Sequence, residues 1–238
     1  MEIRFNQHFL GIENVKIMVV DDNNKIVFLM MQHNEKEDCW LYNSNRKIKR
    51  YKFVINDIIR LNDPKACRYV LDENGEVWSV PYINIDKAYI NEYMVENKEI
   101  VIDKHGILNR WQCSFKKSQL LWSVLQLDND TELIYDRQID MEYILILENL
   151  FGTHSLTFMC YQPDGRLFRF EEIPLEQADN ENQSWEVTVD NKISKLAPKY
   201  ALGKWQIQIY VDGEYKFTDY FVLKENIRKY RIFLDKRI

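Results

Sequence analysis

Trp205-Gln206-Ile207-Gln208-Ile209, running on into Tyr210-Val211-Asp212-Gly213-Glu214-Tyr215, decides the fold. Apolar residues alternate with glutamines, and a period of two belongs to an extended strand with one face in a core and one in water. Asp212-Gly213 then offers two residues that accept a left-handed backbone, so the strand reverses as a hairpin. Outward from there the construction repeats. Tyr161-Gln162-Pro163-Asp164-Gly165-Arg166-Leu167 sets a turn through Pro, which fixes φ, and Gly, which accepts a positive φ. Tyr69-Val70-Leu71-Asp72-Glu73-Asn74-Gly75-Glu76-Val77-Trp78 carries Asn-Gly, the strongest short-range hairpin signal. Val19 to Phe28 turns at Asp21-Asp22-Asn23-Asn24, and Leu125 to Thr131 at Asp128-Asn129-Asp130. Ser184-Trp185-Glu186-Val187-Thr188-Val189 alternates as the opening stretch does, and Tyr143 to Leu147, bounded by Glu142 and Glu148, reads as a buried strand.

Helix has little support. No segment holds an i, i+3, i+4, i+7 stripe over three turns. Asp86 to Asn97 comes nearest, and its Tyr89, Ile90, Tyr93 and Met94 also suit a bent strand. The 25 isoleucines against 5 alanines favour pleated sheet, where β-branched side chains pack well. With 46% hydrophobic and 29% charged residues, the chain has the balance of one that buries a core. These readings predict an all-β protein of two tandem β-sandwich (Ig-like) domains of antiparallel strands. The charged stretch Glu96-Asn97-Lys98-Glu99, or His105-Gly106 a few residues on, marks the boundary; the first gives residues 1–97 and 98–238, both comfortable sizes for a sandwich. Asp179 to Ser184 is polar and is expected to form an exposed loop of the second domain.

Several function classes fall away. A net charge of −5 without long single-sign blocks leaves no footprint for nucleic acid. The basic C-terminal stretch from Lys224 to Arg237 reads as a solvated strand. No apolar run approaches the ~18 residues of a membrane span, and Met1 to Asn6 show no secretory pattern, so a cytoplasmic setting, or a virion, is expected. Cys39, Cys67, Cys113 and Cys160 have neither metal nor redox spacing and are expected as free buried thiols. A Gly-x-Ser-x-Gly elbow, a phosphate-binding loop, a dinucleotide glycine fingerprint and a His-Glu-x-x-His helix are all absent. His8, His33, His105 and His154 lack ligand spacing. Asp140 and Glu142 share a strand face, the one arrangement a glycosidase could use, but acidic pairs are ordinary in a chain with 37 acids. The expectation is a non-enzymatic protein with no catalytic residues, no metal and no cofactor.

One segment points to a ligand. Arg50-Tyr51-Lys52-Phe53-Val54-Ile55-Asn56-Asp57, continuing through Ile58 to Asp63-Pro64, resembles the Tyr-Lys-Phe…Asp-Gly…Asp-Pro pattern of the glycogen-binding and isoamylase-N-terminal family of early-set, Ig-like domains. Gly75-Glu76-Val77 falls where that family has Gly-Thr-Val, and Asp38-Cys39-Trp40 near its Gly-x-Trp strand start. The resemblance covers roughly residues 12 to 80. It implies a carbohydrate-binding module for an α-glucan, with Lys52 matching a lysine that contacts the sugar. Where sugar-binding members stack a ring on tryptophan this chain has Ile59, their turn reads Asn56-Asp57, and their sugar-contacting asparagine corresponds to Trp78.

A sugar offers flat C–H faces rimmed by hydroxyls, so its site needs exposed aromatic planes beside hydrogen-bonding groups. Trp40 and Trp78 qualify if they face solvent. Lys52 is expected on a solvated strand face. The candidate carbohydrate-binding residues are therefore Trp40, Lys52 and Trp78, with a polysaccharide or oligosaccharide as partner. The alternative is a structural or protein-interaction β-sandwich, such as a phage or cell-envelope assembly component. A large apolar patch, or an unpaired strand such as that near Ile232-Phe233-Leu234, would favour this second reading.

Overall fold

The computed structural model describes residues 1–6, 11–43, 45–81, 113–117, 120–125, 132–134, 141–147, 152–176, 185–193 and 196–225. Strands dominate these residues, and their one helical element is the turn Pro198–Ala201. The domain boundary at 97/98, the segment from Asp86 to Asn97, Asp140, the turn at 128–130, the loop from Asp179 to Ser184 and the stretch from Arg228 to Arg237 lie outside the described residues.

The first sandwich packs a three-stranded sheet on a six-stranded one. The smaller sheet joins β1 (Glu2–Phe5), β5 (Cys39–Asn43) and β4 (Gln32–Asn34) in the order β1-β5-β4. The larger runs β3 (Ile26–Met30), β2 (Val15–Val20), β6 (Arg50–Ile55), β9 (Val77–Val80), β8 (Arg68–Leu71), with β7 (Ile59–Leu61) also paired to β6. Ile17 and Val19 of β2 and Tyr51 and Phe53 of β6 meet Ile3 and Phe5 of β1 in one core. Each such buried side chain contributes about 1.5–3 kcal/mol. The opposite face of β2 and β6 is also closed, with Met18, Val20, Val54 and Trp78 clustered there. That explains why Val15–Val20 is nearly continuous in apolar residues rather than alternating.

The second sandwich faces a four-stranded sheet, ordered β11 (Leu120–Leu125), β10 (Cys113–Lys117), β13 (Met141–Leu147), β16 (Trp185–Asn191), against a five-stranded one. The latter runs β12 (Glu132–Ile134), β18 (Glu214–Lys224), β17 (Gly203–Val211), β14 (Thr153–Tyr161), β15 (Leu167–Glu176). Trp205, Ile207 and Ile209 point into the shared core as the alternation requires, and Trp205 stacks on Phe221 with ring centroids 5.6 Å apart. Pairing is antiparallel throughout except between β12 and β18, which run parallel.

The turns carry the chemistry the sequence assigns them. Asp21 and Asp72 each accept, through Oδ1, the backbone N–H groups two and four residues on, closing the β2–β3 and β8–β9 hairpins. Asp212 and Gly213 both take positive φ, 55° and 79°, the two-residue hairpin geometry whose twist matches the flanking strands. Asn56 and Asp57 do likewise at 49° and 60°, so the turn where the family has Asp-Gly keeps left-handed backbone without a glycine.

The two sandwiches share buried surface. Met159 of β14 and Tyr210 of β17 belong to the core of the first sandwich, and Tyr161, Leu167 and Phe170 pack against it. β14 is consequently buried on both faces, with Leu156, Phe158 and Cys160 turned to one core and Met159 to the other.

Candidate functional site

Residues 50–64 place Lys52 and Asn62 at this seam. Lys52 is fully buried, and its Nζ lies 2.5 Å from Glu172 Oε2 of β15. The expectation of a solvated strand face at Lys52 is corrected: β15 covers that face and supplies a carboxylate where water was expected. Asn62 Nδ2 donates to Glu172 Oε1 at 3.0 Å and to Ser155 Oγ at 2.9 Å, and Asn62 Oδ1 accepts from Ser79 Oγ at 3.0 Å. Asp63 accepts the Tyr51 hydroxyl at 2.7 Å, while His154 and Asp212 meet at 2.7 Å beside the Tyr69 ring. Burial pushes the Glu172 carboxyl above its ordinary range, with the Lys52 ammonium pulling against it. Burial likewise raises Asp63 against the pull of the Tyr51 hydroxyl.

The β17–β18 hairpin docks on the same point. A Cβ at Gly213 would lie 1.8 Å from the Asn62 carbonyl oxygen, so only glycine lets the turn reach that backbone. Asp212, reached by Ser155 N–H at 2.9 Å, fixes the turn to β14.

Trp78 is 1% exposed and offers no plane to solvent. Its indole N–H donates to Asp72 Oδ2 at 2.9 Å, and the Arg50 guanidinium lies 5.1 Å from its ring. Burial pushes Asp72 up but is outweighed by the Glu76 and Asn74 N–H groups, the Trp78 indole and Arg50, so its carboxyl lies below the ordinary range. Trp40 is half-buried, its ring 4.9 Å from that of His33. The three residues are thus not brought together on one surface: Lys52 and Trp78 share the covered face of β6 and β9, and Trp40 lies on β5 of the other sheet.

Two surface features stand apart from those residues. A cleft of about 270 Å³ opens on the five-stranded sheet between the Gln162–Arg166 turn and the strands β17 and β18. Tyr161, Gln206 and Tyr220 are register partners across β14, β17 and β18 and so form one row on its floor. The alternating glutamines were legible as a solvent face, but nothing local placed the tyrosines beside them. The second feature is β3, at the end of the six-stranded sheet path, where Ile26, Phe28 and Met30 are 51%, 53% and 58% exposed.

Among the described residues no group of three or more His, Cys, Asp or Glu could hold a metal ion, and no helix is long and apolar enough to cross a membrane. Cys39, Cys67 and Cys160 are free, with Cys39 and Cys160 buried and Cys67 partly so. Burial pushes the Cys160 thiol far up, which makes it a poor nucleophile.

Fold and seam together define a double β-sandwich protein in which two sheets meet through a buried polar network. No family model matches the chain. No curated protein matches it either. Among solved structures it is similar to an immunoglobulin-like protein from Pseudomonas aeruginosa, at 11% identity and a TM-score of 0.28, over 48% of this chain and 92% of that one.

Proposed function

We propose that this protein is a non-enzymatic β-sandwich scaffold that binds another protein through β3. The observation that carries this reading is the apolar edge. Ile26, Phe28 and Met30 alternate outward, and no charged residue occurs from Ile26 to Gln32. Edge strands of soluble proteins ordinarily carry charge, proline or a covering element against pairing with another chain. An apolar edge with no strand beside it among the described residues suits an added strand from a partner, with main-chain hydrogen bonds for affinity and the alternate side chains for specificity. The α-glucan reading, by contrast, keeps only Trp40 near the surface, with Lys52 and Trp78 inside the protein.

Phe28→Lys tests the edge. Phe28 is already half-buried, so docking gains about half of the ~3 kcal/mol for a fully buried aromatic, roughly a tenfold change in affinity. Wild-type and variant protein, matched for thermal midpoint, are used to capture partners from the native cells. A partner held by wild type and lost by the variant is the expected result. Identical capture by both would overturn the assignment of β3.

A further inference from the structure

We propose that the cleft on the five-stranded sheet binds a saccharide carrying a carboxylate. This site lies on the other sandwich from β3 and does not depend on the protein-binding reading.

Strand alternation builds the cleft. Because Trp205, Ile207 and Ile209 face the core, Lys204, Gln206 and Gln208 rise together from the other face of β17, about 7 Å apart. Tyr161 and Tyr220 flank Gln206 on the neighbouring strands. The first sandwich covers this sheet face at Met159 and Tyr210, and the cleft occupies the part left open. One wall is held rigidly. A Cβ at Gly203 would lie 2.8 Å from the Pro163 Cβ, so the Pro163–Gly165 turn presses directly on the start of β17.

One hydroxyl of the lining is weakly partnered among the described residues. Among the described residues the Tyr161 hydroxyl finds only the Met159 sulfur, at 3.5 Å, a weak acceptor. Burial pushes that phenol up to about 12, so it stays protonated and able to donate.

Charge selects the ligand. The described lining residues include no carboxylate, and Asp164 on the adjoining turn is taken by Arg166, whose Nε lies 2.7 Å away. Lys204 Nζ sits 3.8 Å from the centre of the Tyr220 ring, poised at the cleft without an acidic partner among the described residues. Two aromatic rings, a row of amides and one cation fit a sugar ring's C–H face, its hydroxyls and a carboxylate in turn. A uronic acid unit in an oligosaccharide combines all three.

Calorimetric titration of the full chain tests this with tetragalacturonate, neutral maltotetraose and acetate, against wild type, Lys204→Met and Gln206→Ala. The uronate should bind at least tenfold more tightly than the neutral sugar, and acetate should not register. Lys204→Met should erase that preference, about tenfold being the worth of one charge-assisted hydrogen bond. Gln206→Ala should weaken both sugars alike. Both side chains line the open cleft, so the variants should keep the wild-type thermal midpoint. Equal binding of both sugars, or an unchanged preference in Lys204→Met, overturns the role of the carboxylate. Acetate binding as well as the uronate, or no response to either sugar, overturns the saccharide site.

Discussion

Lys52→Met removes the one fully buried cation among the described residues while nearly keeping its volume, and its cost follows from the surroundings. Lys52 has no solvent exposure, and the Glu172 side chain it faces is 13% exposed. Without the ammonium, Glu172 keeps a single donor among the described residues, Asn62 Nδ2 at 3.0 Å. Breaking a buried pair from one side costs about 3–5 kcal/mol, because the remaining charge is stranded. For a chain of this size each kcal/mol moves the thermal midpoint by about 2–4 °C, so a fall of roughly 6–20 °C is expected. Removing both partners, as Lys52→Met with Glu172→Leu, should recover most of that loss, since a buried pair replaced by apolar groups is often neutral. Urea and thermal unfolding at pH 7, followed by circular dichroism and Trp fluorescence, supply the four corners of the cycle. A surface lysine would change stability by less than about 0.5 kcal/mol. Such a small loss in Lys52→Met, or strict additivity in the double variant, would refute the buried pair.

Two further outcomes follow from the same packing. Gly213→Ala and Gly75→Ala replace glycines of nearly equal φ, +79° and +78°, but a Cβ meets the Asn62 backbone at the first and open space at the second. Gly75→Ala should cost the ~1–2 kcal/mol of left-handed backbone, and Gly213→Ala clearly more; equal losses would remove the docking of the β17–β18 turn. Burial raises the Glu172, Asp63 and Asp219 carboxyls, so the folded state holds their protons more tightly than the unfolded chain. Their contribution is present below the unfolded carboxyl values near 4 and is lost as pH rises through the raised folded values. The thermal midpoint should therefore rise as pH is lowered from 7 through these raised values toward 4. Asp72, which is lowered, withdraws stability only below that window. A midpoint that falls steadily as pH is lowered from 7 toward 4 would contradict the sign.

The fold was legible because its signals are local. A period of two, with Asp-Gly or Asn-Gly between apolar runs, specifies strand, turn and strand within a dozen residues, and the β17–β18 and β8–β9 hairpins form as read. Sheet order was not legible. β6 pairs with β2 and β9, and β14 with β17, through contacts that no short window contains. The edge position of β3 escaped for the same reason: its alternating Ile26, Phe28 and Met30 look like any half-buried strand until the neighbour on one side proves to be absent from the described sheet.

The solvated face expected at Lys52 was misread for a more particular reason. In Arg50-Tyr51-Lys52-Phe53 the alternation sends Tyr51 and Phe53 to one face and Lys52 to the other, and a single strand cannot tell water from protein on its polar side. Glu172, which makes the difference, stands 120 residues away in sequence. Strand β15 hides its half of the pair in the same manner, since Phe170-Glu171-Glu172 reads as one apolar residue followed by two solvated acids. Each polar residue is conventional by itself, and the unusual property belongs to the pair. A likeness over residues 50 to 64 can therefore follow the core-facing residues without reporting what the lysine between them faces. Tyr51 and Phe53 are held by the core that any such sandwich must fill, but the lysine between them serves whatever covers that face. Here the cover is the second sandwich.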